Sequence, residues 1–209
     1  MFESKKFIVV ITAPSGAGKT TVIGRLLARR AEFRYSVSAT TRHARNGEQD
    51  GRDYFFMDRA AFEAGIQRGD FAEWAEVHGN LYGTLKSQID GILRDGSYVL
   101  MDVDIQGARS LREAYPDGVY IHLLPPSMQE LRKRLSLRGT EDQQTLSRRL
   151  ENAIGEIRAM DESEYVVVND DLERSCGAIE SIVDAEALRI ARVNDLQARL
   201  DEYLGDGEN

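Results

Sequence analysis

A chain of 209 residues with 42% hydrophobic and 30% charged content is large enough for one good core with inserted subdomains, and its balance is that of a soluble globular protein. A formal net charge of −8 argues against general binding of nucleic acid or of an anionic membrane, and no apolar run is long enough to span a bilayer. The single cysteine, Cys176, excludes an intramolecular disulfide, and with no signal-like start the cytoplasm is the expected compartment.

Residues 7–11 form an unbroken apolar run with the character of a strand buried on both faces, and Val22, Ile23, Leu26 and Leu27 follow at helical spacing, predicting a helix over 19–30. Between them lies APSGAGKT. Gly16 and Gly18 permit positive φ, so successive N–H groups can converge on a phosphate at the positive end of a helix. Lys19 would reach the β- and γ-phosphates, and Thr20 offers a hydroxyl to Mg²⁺, as in the pattern G-x-x-x-x-G-K-[ST]. The first glycine of that pattern is Ala13 here, which is tolerable if Ala13 still lies in the strand.

Residues 34–56 crowd hydroxyls and arginines without a sustained helical period, which reads as a functional loop. Arg42 and Arg45 precede the turn residues Asn46-Gly47, so two guanidinium forks can meet one phosphate; each alone also reads as solvated surface charge. Ser38, Thr40, Thr41 and Tyr54 beside them favour a site, although Tyr54 also opens a strand-like run over 54–57. Asp58 should cap a helix that runs to Arg68 and stops at Gly69. Residues 71–84 then alternate and turn at His78-Gly79-Asn80, a small β-rich insert in which His78 is a turn residue. Alternation places one of Glu73 and Trp74 inward, and an inward carboxylate needs donors; a surface glutamate is the ordinary alternative. Thr84 is either a cap for a helix over 85–94 or a ligand contact, and Gly96 stops that helix.

The strand predicted over 98–102 delivers Asp102 straight after an apolar run, where a carboxylate can hold Mg²⁺ or its water opposite Thr20. Asp104 lies on the same side if the strand continues, or else caps a helix over 105–114. A strand over 119–124 ends at Pro125-Pro126, and Ser127 with Glu130 forms a capping box for a helix to Arg138. Cations then crowd two helices separated by Gly139, the second opened by Thr140 and Gln143. This is the pattern of a mobile lid in which Arg134, Arg138 and Arg149 meet migrating negative charge, while Arg132, Lys133 and Arg148 stay solvated. Residues 165–169 predict a last buried strand ahead of Asp170-Asp171 and a helical C-terminal region, with Cys176 on a helix face.

Taken together, APSGAGKT, SATTRHAR, GRDYFF, AEWAEVHGNLYGT, LMDVDIQGA, LLPPS, RLSLRGT and VVVND stand in an order that closely resembles the guanylate kinases, over about residues 6–171. The resemblance implies an α/β P-loop kinase fold in a single domain: a parallel-sheet core (5–36, 96–130, 160–209), a small β-rich GMP-binding subdomain with its return helix (37–95), and a helical lid (131–159). It implies transfer of a phosphoryl group from ATP to GMP, with dGMP as a further acceptor and Mg²⁺ as cofactor. By likeness, Arg42, Arg45, Tyr54 and Tyr82 would take the phosphate of GMP, and Ser38, Glu73, Thr84 and Asp104 would read guanine. Ser15, Gly16, Ala17, Gly18, Lys19, Thr20 and Thr21, with Arg134, Arg138 and Asn169, would hold ATP. Lys19, Arg42, Asp102, Arg138 and Arg149 would act on the reacting phosphates, and Thr20 and Asp102 would serve the metal, Asp102 through water. Ala13, and Asn46 where the family often has proline, depart from the common pattern without removing a reacting group.

Guanylate-kinase-like domains also serve as protein-interaction modules, and another P-loop small-molecule kinase is the enzymatic alternative. Lys19, Thr20 and Asp102 favour an enzyme over the first, and Glu73 with the paired arginines favours a purine monophosphate over the second. Monomer and homo-oligomer both stay open, as does a role in association for the tail beyond about Ala185.

Overall fold

The computed structural model describes residues 3–137 and 143–205. Its first half contains β1 (Ile8–Thr12), α1 (Lys19–Arg29), β2 (Phe33–Tyr35), β3 (Ala39–Thr40), β4 (Phe55–Phe56), α2 (Arg59–Arg68), β5 (Phe71–Val77), β6 (Asn80–Leu85) and α3 (Lys86–Arg94). The second half continues with β7 (Tyr98–Asp102), α4 (Ile105–Ala114), β8 (Val119–Leu124), α5 (Met128–Leu137), α6 (Gln143–Arg158), β9 (Tyr165–Val168), α7 (Leu172–Ala187) and α8 (Leu196–Gly205). No helix among the described residues is long and apolar enough to cross a membrane.

The main sheet is parallel, in the order β2-β7-β1-β8-β9. Side chains alternate across a strand, so β1 feeds both faces. Val9 and Ile11 join Leu100, Ile121, α1 and α7 in one apolar layer, while Ile8 and Val10 join Val99, Met101, α3 and α4 in the other. Every residue of β1 is buried, which is why the run carries no polar alternation. Each fully buried aliphatic side chain contributes about 1.5–3 kcal/mol relative to exposure.

The smaller sheet runs β4-β3-β6-β5 and has an apolar cluster of its own, where the Phe62 and Phe71 rings stack at 4.2 Å. Asp58 caps α2 by accepting from the Ala61 N–H at 2.7 Å, and Gly69 ends it in the left-handed region. β5 and β6 pair across a two-residue turn, His78 and Gly79, both at positive φ, the conformation that suits the twist of a tight hairpin.

Four expectations change. Thr84 does not cap the following helix: α3 begins at Lys86 after Leu85, with no side-chain cap, because the Thr84 hydroxyl is committed to Glu73. The strand after residue 164 is an edge and not a buried element; only Val167 is buried, and Val166 and Val168 are about half exposed. The segment after α1 is not all loop, since β2 pairs with β7 in parallel register. β1 ends at Thr12, so Ala13 follows the strand, packed against the core. Gly177 does not interrupt α7, and the buried Cys176 faces the core from it, its thiol pKa raised chiefly by burial.

Candidate active site

β1 and β7 end side by side, with Ile11 level with Asp102, so the glycine loop and the acidic strand end share the carboxyl edge where ligands of open α/β sheets gather. The loop closes through the Ala17 N–H on the Pro14 carbonyl at 3.0 Å, with Gly16 at φ 89° and Gly18 at φ 94°. Gly18 is required twice over. Its backbone is left-handed, and a Cβ there would lie 2.6 Å from Asn169 Nδ2, the amide that donates to the Ala17 carbonyl at 2.7 Å. The helix start that follows has no side-chain cap, and the first N–H groups of a helix have no intrahelical partner.

Lys19 Nζ donates to the Val103 carbonyl at 3.0 Å, spanning the gap to the end of β7. Burial lowers its pKa, and Asp102, Glu156 and Asp104 partly restore it. The ammonium is thus held in a largely desolvated place by a surrounding negative field, where an arriving phosphate has the most to gain.

Beside this loop is a groove of about 400 Å³ whose lining includes Tyr35, Ser38, Tyr54, Glu73, Tyr82, Asp102 and Asp104. A register shift between Phe71 and Glu73 sets Glu73 opposite Thr84, a bulge of the kind that re-aims a side chain. Thr84 then donates to Glu73 Oε1 at 2.6 Å. Gly83 makes this approach possible, since a Cβ there would meet the Glu73 carbonyl at 2.7 Å. Burial raises the Glu73 pKa, the Thr84 hydrogen bond opposes the rise, and Asp104 adds to it. Asp104 is not a continuation of β7: it caps α4, accepting from the Gly107 N–H at 2.8 Å, and lines the groove from there. Trp74, the outward partner of Glu73, is 48% exposed.

A second groove, also about 400 Å³, lies on the far side of the loop between Gly16, Gly18, Thr21, Arg134, Asn169 and Leu172. Two grooves with one phosphate loop between them suit two nucleotides.

The profile of the guanylate kinase family matches residues 5–186. The chain belongs to the guanylate kinase family. A guanylate kinase of Aromatoleum aromaticum is 44% identical over 197 residues, 94% of this chain and 97% of its own length. One from Chromobacterium violaceum is 47% identical over 184 residues, 88% of each chain. The crystal structure of guanylate kinase from Anaplasma phagocytophilum is similar with a TM-score of 0.75 and 34% identity, covering 96% of each chain.

On this guanylate kinase frame the expected arginines are dispersed. Arg42 is bound to Glu48 and lies 5.3 Å from the Tyr54 ring, whereas the Arg45 side chain is exposed. From the other side, Arg134 Nη1 donates to the Ala17 carbonyl at 3.4 Å and Arg149 Nη2 to the Ser15 hydroxyl at 3.3 Å. Arg138 and Thr140 lie outside the described residues. The Ser127 hydroxyl accepts from the Glu130 N–H at 3.1 Å, but the Glu130 carboxylate turns to Arg134 at 3.0 Å and does not complete the box.

Three residues at the site escaped the sequence. The Tyr35 hydroxyl donates to Asp102, and burial, then the carboxylate, hold that phenol protonated well above its usual range. Glu156 accepts from the Ser15 N–H at 3.2 Å. His122, fully buried, keeps Nδ1 2.9 Å from the Thr12 hydroxyl just ahead of the loop, and burial, with Lys19 nearby, lowers its pKa. The approach of Tyr35 follows from a short edge strand that no periodicity announces, and the other two depend on partners more than a hundred residues away.

Proposed function

We infer that this chain transfers the γ-phosphoryl group of ATP to GMP, yielding ADP and GDP. The observation that carries this is the meeting of the glycine loop and the Glu73–Thr84 groove at Asp102. In this reading GMP, and dGMP likewise, occupies that groove: Glu73 and Asp104 face the base with Ser38 and Thr84, and Arg42, Arg45, Tyr54 and Tyr82 take the phosphate. ATP lies across residues 15–21 with its base toward Asn169, and an acceptor oxygen approaches in line with the leaving oxygen. Lys19 faces the β- and γ-phosphates, where negative charge builds on the leaving oxygen as the γ-phosphoryl group departs, so it stabilises what develops in the transition state more than what is bound at the start. The reaction belongs to the cytoplasm, where both nucleotides are substrates. An equimolar gain of ADP and GDP, followed by phosphorus NMR in a mixture of ATP and GMP, is the expected result; ADP without GDP would contradict it.

The oxygen donors suit Mg²⁺. The described residues hold no cluster of three acidic, His or Cys side chains that could bind a metal by themselves. What the loop offers is the exposed Thr20 hydroxyl and the Asp102 carboxylate, the small set this ion takes when phosphates and water complete its shell. Bound there, Mg²⁺ would neutralise phosphate charge. The chain's own part is to orient: Tyr35 fixes the Asp102 carboxylate, and Lys19 stands within its field.

Residues 131–159 act as the lid in this account, with Arg134, Arg138 and Arg149 brought onto the phosphates and water excluded on closure. α5 and α6 share a small apolar cluster, Leu131, Leu135 and Ala153, distinct from the two layers of the main sheet. ATP and GMP together should slow hydrogen exchange across α5 and α6 far more than either alone, because closure needs contacts that depend on both. Equal exchange in the free and doubly bound protein would contradict the lid.

A further inference from the structure

In the structure the guanidinium that this reading assigns to the phosphate of GMP is already gripped. Arg42 Nη1 donates to Glu48 Oε2 at 3.0 Å and to the His43 carbonyl at 2.7 Å, and Nη2 donates to Glu48 Oε1 at 2.9 Å. A guanidinium has five N–H groups in a planar fork. These bonds use three, so Nε–H and one N–H of Nη2 stay for other partners. They form the side fork, which can take two oxygens of a phosphate while the end fork keeps Glu48. The Tyr82 hydroxyl also bonds this guanidinium and the Tyr54 ring lies against it; both tyrosines line the groove, so the fork that Glu48 leaves is shared with Tyr82 at the groove's edge.

Glu48 does a second thing with the same carboxylate. Its Oε2 accepts from the Arg45 backbone N–H at 2.7 Å, and its own N–H donates to the Arg45 carbonyl at 3.1 Å. One acid thereby closes the turn through Gly47, which has φ 90°, and fixes where the second arginine leaves the backbone. The pair is shielded, with side chains 15% and 21% exposed. Hydrogen bonds from Arg42 and then Arg45 hold the Glu48 carboxyl below the usual range.

We propose that Glu48 is the positioning residue for the phosphate of GMP, presetting the side fork of Arg42 and the turn that carries Arg45 so that neither is ordered at the cost of substrate binding. The inference rests on the assignment of Arg42 and Arg45 to that phosphate. Glu48 also brings a negative charge toward a dianion, which opposes binding. Its charge is already met by two guanidinium N–H groups and a backbone N–H, whereas loss of the carboxylate frees a long side chain and leaves the turn only its backbone bond. Ordering them again on binding is the larger effect.

Steady-state kinetics of wild type, Glu48→Gln, Arg42→Ala and the double variant test this. Glu48→Gln should raise KM for GMP about tenfold or more, the scale of a charge-assisted hydrogen bond, with KM for ATP unchanged. The double variant should fall well short of the product of the two single losses, because Glu48 acts largely through Arg42, and what is left is its hold on the turn that carries Arg45. Glu48→Asp, which keeps the charge, should fall between, and it serves as the test if Glu48→Gln lowers the melting temperature. An unchanged or lower KM for GMP in Glu48→Gln, while Arg42→Ala raises it, overturns the proposal alone. Multiplying losses in the double variant, or equal losses for ATP and GMP, also overturn it. An Arg42→Ala enzyme with normal KM for GMP removes the underlying assignment as well.

Discussion

Lys19→Ala should fold normally and lose phosphoryl transfer. The Lys19 ammonium donates to the Val103 carbonyl, and burial disfavours its charged form. In the folded state its pKa is lowered, so folding disfavours the bound proton, and the group adds no stability at neutral pH that its removal would forfeit. Its removal does take away the counter-charge of Asp102, Glu156 and Asp104, and a small change in melting temperature is the expected net result. Catalysis is different, because on the proposed reading the positive charge is aimed at oxygens whose charge changes during transfer. Removing a preorganised stabiliser of this kind typically costs about 10²–10³-fold in kcat. Turnover measured beside a thermal melt checks both halves; near-normal kcat would remove the phosphate site as described.

Much of this arrangement is legible in the sequence because local chemistry determines it. The run over 7–11 is apolar at every position, since both faces of β1 are covered. Asp58 and Gly69 bound α2, as cap and stop residues do. The turn at His78 and Gly79 follows from hairpin chemistry. Glu73 could be singled out as a carboxylate in an alternating strand, but its partner could not. The bulge that brings it opposite Thr84 is a matter of register between two strands, and the hydroxyl that could cap a helix bonds to the acid instead. Tyr35, Glu156 and His122 lie further beyond reach, because each meets the site through a fold-level approach. Arg42 was visible as a cation near hydroxyls, while the acid six residues later that holds it was not.

Glu73→Gln should abolish most of the preference for guanine. Guanine presents N1–H and the 2-amino group side by side, and one ionised carboxylate accepts from both; adenine presents an acceptor at N1 and no 2-amino group. AMP therefore leaves a half-buried carboxylate without the two guanine donors, the Thr84 hydroxyl alone remaining on it. A site built on such complementarity rejects the wrong ligand by about 10⁴-fold. In the variant one acceptor becomes a donor facing a guanine donor, so kcat/KM for GMP should fall steeply while ATP binding at the glycine loop is retained. The pH dependence has a definite sign. Burial, reinforced by Asp104, raises the Glu73 pKa in the free protein, and only the ionised form accepts twice. kcat/KM for GMP should thus decline on acidification from a higher pH than an ordinary glutamate gives, since that ratio reports the free enzyme. Glu73→Gln should lack this acidic limb. Wild-type kcat/KM for GMP in the variant, or a matching collapse of ATP binding, would contradict the assignment.

Guanine-selective phosphoryl transfer is read straight from the wild-type kcat/KM for GMP, AMP, CMP and UMP with ATP as donor under one set of conditions. GDP should form readily and the other three monophosphates should be poorer acceptors by about 10⁴-fold, on the scale of a carboxylate denied the donors it is built to meet. Comparable rates with AMP, or no GDP at all, would contradict it.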